Sequence, residues 1–69
     1  MATFMEKDVL IEVISSVVAS VAYTVDIESP DVVALLRLQG KLYGMKPEEI
    51  NYEKELAFIK EKKAILVGN

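Results

Sequence analysis

The side chains able to do chemistry in this sequence are few, and the omissions narrow the choices first. It contains no His and no Cys, so the commonest general base, the thiol nucleophile, disulfides and the usual transition-metal ligands are missing together. Gly40, Gly44 and Gly68 stand in isolation, and no Gly-Lys-Ser/Thr run exists to cradle a phosphate. Glu48, Glu49, Glu53 and Glu55 offer oxygen ligands for a divalent ion, but their Glu/Lys-rich surroundings read as a solvated helix face. The expectation is therefore no catalytic residues, no metal, no cofactor and no enzyme.

The basic residues Arg37 and Lys41, four apart, are the candidates for nucleic-acid contact. A helix-turn-helix is one way to use them: Gly44 marks a turn and Ile50, six residues later, stands where that motif buries an aliphatic side chain. Against it, the would-be recognition segment Pro47-Glu48-Glu49-Ile50-Asn51-Tyr52-Glu53 would present carboxylates to phosphates, where binding needs Lys and Arg. The net charge of −3 likewise gives no long-range attraction to nucleic acid or to an anionic membrane.

These side chains must be positioned by helices. Val32, Leu35, Leu36, Leu42 and Tyr43 recur at helical spacing and predict a helix over about 30–43, with an apolar stripe facing inward and Arg37 and Lys41 on the other side. Ser29-Pro30-Asp31 is its start, with Ser29 as cap, and Gly44 followed by Lys46-Pro47 its stop. Gly40 falls inside this helix at a cost of about 1 kcal/mol against alanine, which predicts a point where another backbone comes close.

Before it, residues about 8–25 predict a first helix capped by Asp8. Its stripe Leu10, Ile14, Val17, Val21, Val25 is widened by Val9, Val13, Val18 and Ala22, leaving only Glu12, Ser16, Ala19 and Tyr23 as a narrow polar strip. Such a helix needs cover on more than one side. A strand is the rival, but alternation breaks at Val9-Leu10-Ile11 and at Val17-Val18-Ala19. A membrane span is the other; the run sits at the short end of the ~17–25 residues required, carries Glu12 and several hydroxyls, and lacks basic or Trp anchors. The short link Asp26-Ile27-Glu28 predicts an antiparallel hairpin, in which the small residues Ser15, Ser16, Ala19, Ser20 and Ala22 would meet Gly40. A third helix, about 47–66, starts at Pro47-Glu48-Glu49 and carries the stripe Tyr52, Leu56, Ile59, Lys63, Leu66. Residues 64–67 read equally as helix end or short strand.

A chain of 69 residues forms one domain at most, and a fold of this size hides only about 60% of the surface its unfolded chain exposes. With 52% of residues hydrophobic and neither disulfide nor metal available, association between copies is the remaining source of stability. The expected architecture is all-α, a helical hairpin with a third helical segment, assembled as a homo-oligomer. Val13, Val17, Val21, Leu36 and Gly40 are the expected packing and oligomer contacts. Met-Ala-Thr-Phe-Met-Glu-Lys-Asp lacks the basic start and small-residue cleavage site of a signal peptide, so a reduced, cytoplasmic setting is expected.

Ala34, Leu35, the Gly40-Lys41 pair and Gly44-Met45, behind a preceding apolar helix, make about half of the sequence resemble the central oligomerisation hairpin of tailed-bacteriophage terminase small subunits. The resemblance implies subunits that assemble into rings, recognise packaging-site DNA and regulate a large subunit bearing the ATPase and nuclease. No separate DNA-binding helix-turn-helix precedes the hairpin in this sequence, so assembly carries over more directly than DNA recognition. The resulting expectation is an assembly or adaptor protein supporting DNA packaging, with itself, a large terminase subunit and DNA as partners. The alternatives are a small DNA-binding regulator and a membrane-associated accessory subunit.

Overall fold

The computed structural model describes residues 2–24 and 28–67. All regular structure among them is helical: α1 (Phe4–Val21), α2 (Pro30–Gly44), a 3-10 turn (Pro47–Glu49) and α3 (Tyr52–Val67). Each α-helix packs against the other two, so α1 receives the two-sided cover that its broad apolar surface demands.

Helix α1 begins four residues before the Asp8 cap expected from sequence. Thr3 and Glu6 form a reciprocal box: the Glu6 N–H donates to Thr3 Oγ1 at 3.1 Å and the Thr3 N–H donates to Glu6 Oε1 at 2.9 Å. Two otherwise orphaned N–H groups are thereby satisfied, an advantage Asp8 alone does not offer. At its other end the helix closes at Val21, and hydroxyls bond back to its carbonyls: Ser20 Oγ donates to the Val17 carbonyl at 2.8 Å and Thr24 Oγ1 to that of Val21 at 3.4 Å. The expected continuation to Val25 lies outside the described residues, as do Asp26 and Ile27 of the link.

Helix α2 starts with Pro30 in its first turn, as expected, but the Ser29 side chain makes no capping bond; only its carbonyl receives the Val33 N–H, at 2.9 Å. Gly44 does not stop the helix by a left-handed turn. The chain instead leaves through extended Met45 and Lys46, the conformation Pro47 imposes on the residue before it. Lys7 of α1 covers the freed carbonyls, its Nζ donating to Met45 at 2.8 Å and to Tyr43 at 3.4 Å.

The third expected helix is broken near its start. Pro47–Glu49 makes a single 3-10 turn, extended Ile50 drops into the core, and α3 then starts afresh with Asn51 as cap, its Oδ1 accepting the Lys54 N–H at 3.1 Å. Residues 64–67 are helical. Lys62 bridges α3 to α2 through Asp31 at 2.9 Å, and its ammonium lies 5.5 Å from the centre of the Phe58 ring.

Leu10, Ile11, Ile14, Val17, Leu35, Leu42, Ile50 and Ile59 form the core, and no buried polar or charged side chain interrupts it among the described residues. Of α3, Ile59 alone among the described residues is fully buried, with Tyr52, Leu56 and Leu66 half-buried along the expected stripe and Lys63 exposed.

Candidate interaction surface

The seam between α1 and α2 is fixed by a polar side chain. Gln39 Nε2 donates to the Ile11 carbonyl at 3.0 Å and to Ser15 Oγ at 2.7 Å. With Lys7 holding the end of α2, these bonds set residues 11–15 of α1 beside residue 39 of α2, and residue 7 beside residues 43–45.

Gln39 thus takes a place on the inward line of α2, between Val32, Leu35 and Leu42. The expected inward stripe is corrected accordingly: Leu36 is 39% exposed and Tyr43 is 65% exposed. Together with Gly40 they recur four and three apart, which makes a second, outward stripe on α2. Gly40 itself is exposed, and a Cβ built on it would meet nothing within 4 Å. The expected meeting of Gly40 with the small residues of α1 does not occur within the chain.

Helix α1 contributes the adjoining half of this face. Ser15 lies at the seam, and Phe4, Asp8 and Ala19 follow at turns of the same side; all four are exposed, Phe4 to 76%. Met5 beside it is 75% exposed. Side by side, the two helices present a surface of two aromatic rings and a leucine among small residues. Asp8 lies within it and Glu12 edges it on the α1 side, while the bases Arg37 and Lys41 edge it on the α2 side. The latter two are the candidate nucleic-acid contacts, and both are exposed.

Val17 and Val21, expected at helix contacts, are buried in the chain's own interior, and Val13 packs half-buried against it. Ile50 is buried, as the helix-turn-helix spacing anticipates, while Glu48, Glu49 and Glu53 around it are exposed. No group of three or more acidic side chains able to hold a metal ion occurs among the described residues. No helix among them is long and apolar enough to cross a membrane. No protein family, curated protein or solved structure matches this chain.

Proposed function

We propose that this protein is a non-catalytic assembly module, with α1 and α2 forming an antiparallel hairpin that associates with further copies of the chain. The hairpin reading draws on the paired contacts along the seam, in which residues advance along α1 as they retreat along α2. The carrying observation is the outward stripe Leu36–Gly40–Tyr43 beside Phe4. Large apolar side chains grouped on one face mark a surface meant to be covered, and a bare glycine between two of them leaves room for a second backbone.

An adaptor in phage DNA packaging, of the terminase small-subunit kind, is the specific role proposed. It rests on the resemblance at Ala34, Leu35, Gly40-Lys41 and Gly44-Met45, and on a self-associating hairpin being what that role needs. Its partners in that role would be the large subunit and DNA. Light scattering tests the shared premise: the expected mass exceeds that of one 7.7 kDa chain and rises with concentration, whereas a monomer throughout rejects the assembly reading. The alternative of a DNA-binding regulator requires duplex binding that weakens steeply with salt and is lost in the Arg37→Ala/Lys41→Ala variant.

A further inference from the structure

The α1/α2 face carries a charge pattern that selects its occupant. Glu12 edges it on the α1 side, with Asp8 one turn before it and on the face itself; Arg37 and Lys41, four apart, edge it on the α2 side. All four are exposed and make no ion pair among the described residues. Apart from Asp8 the face is apolar and small-residue rich, so that helices laid upon it can approach to the ordinary packing distance of about 8–10 Å.

We infer that this face is covered by a second copy of the same chain, related by a two-fold axis running along the helices, so that α1 of each copy lies over α2 of the other. The inference rests on the self-association reading above and names its interface. The Gln39 bonds put residues 11–15 of α1 level with residue 39 of α2, and a two-fold axis along the helices preserves height. Glu12 of one copy therefore comes within about one residue's rise, ~1.5 Å along the axis, of Lys41 in the other, and within about one turn of Arg37. The symmetry repeats the pairing at the opposite edge. Leu36, Gly40 and Tyr43 of each copy then meet Phe4, Ser15 and Ala19 of the other.

The competing arrangements fare worse on the same charges. A two-fold axis running across the helices stacks α1 on α1 and α2 on α2, so the acidic edge faces an acidic edge and the basic edge a basic one, a like-charge arrangement that interfaces avoid. A nucleic acid seated on the face would bring its phosphates against Asp8 and Glu12. An anionic lipid surface would meet the same two acids.

Sedimentation equilibrium of charge-reversed variants tests the pairing. The wild-type chain should approach the mass of two chains and no more. Glu12→Lys should raise its dissociation constant about tenfold or more, because the introduced ammonium then faces Arg37 and Lys41. Adding Lys41→Glu to the same chain should lower the constant again by about threefold or more, since the nearer pair is restored with its signs exchanged while Arg37 still faces the new ammonium. Both substitutions are at exposed helix positions, and circular dichroism should report unchanged helicity. A wild-type chain monomeric at about 1 mM would remove the assembly reading and this inference together. A chain that associates, but beyond two copies or indifferently to both charge variants, would overturn the two-fold pairing alone.

Discussion

Substitution of Gly40 separates the stability of the single chain from its association, because the two effects have opposite signs. In the lone chain a Cβ at this position meets nothing within 4 Å, and the residue lies inside α2. Gly40→Ala therefore removes the helix penalty of glycine without a clash, a gain of about 1 kcal/mol. For a domain of this size that gain raises the melting temperature by about 4–8 °C. Gly40→Leu should keep most of this gain in dilute solution, leucine being nearly as good a helix former. On the proposed face, however, it puts a branched side chain between Leu36 and Tyr43, where the second backbone would come close. Overpacking of that kind costs about 1–3 kcal/mol, which corresponds to a dissociation constant raised about 5- to 150-fold. Thermal melts at a few micromolar, followed by circular dichroism, read the first effect; sedimentation at a few hundred micromolar reads the second. A lower melting temperature for Gly40→Ala in dilute solution would show that the glycine is needed within the chain. Association of Gly40→Leu equal to or tighter than wild type would refute the use made of the bare position.

Thr3→Ala should cost about 1 kcal/mol by removing the reciprocal box at the start of α1, seen as a melting temperature lowered by several degrees and faster amide exchange in the first turn. Lys7→Met should cost about 0.5–1.5 kcal/mol, since the Met45 and Tyr43 carbonyls lose their donor, with the exchange increase confined to the end of α2. Ile59→Ala should cost about 2–5 kcal/mol. A chain this short has only a few kcal/mol in total, so urea denaturation should find this variant largely unfolded at room temperature.

The helical character of all three segments was legible because apolar residues recur at three and four throughout. The inward face of α2 was not, and the reason is specific. Val32-Leu35-Gln39-Leu42 and Leu36-Gly40-Tyr43 both fit helical spacing, and hydrophobicity favours counting Leu36 and Tyr43 with the core. The structure turns Gln39 inward instead, because its amide finds the Ile11 carbonyl and the Ser15 hydroxyl across the seam. That acceptor pair belongs to a helix distant in sequence, and no local pattern announces it. Two caps that the sequence reading missed have a local signal, by contrast. Thr3-Phe4-Met5-Glu6 has the spacing of a capping box, but Asp8 stands nearer the long apolar run. Asn51 restarts α3, but Pro47-Glu48-Glu49 offers an earlier start that yields one 3-10 turn only. The charges edging the α1/α2 face carried no meaning until the level of one helix against the other was fixed.

If the face holding Leu36, Gly40 and Tyr43 is covered by another copy of this chain, association must follow concentration. Multi-angle light scattering over a concentration series from about 10 μM to about 1 mM tests it most directly. The mass should climb from 7.7 kDa toward that of two chains. A mass fixed at one chain across the whole series would contradict it.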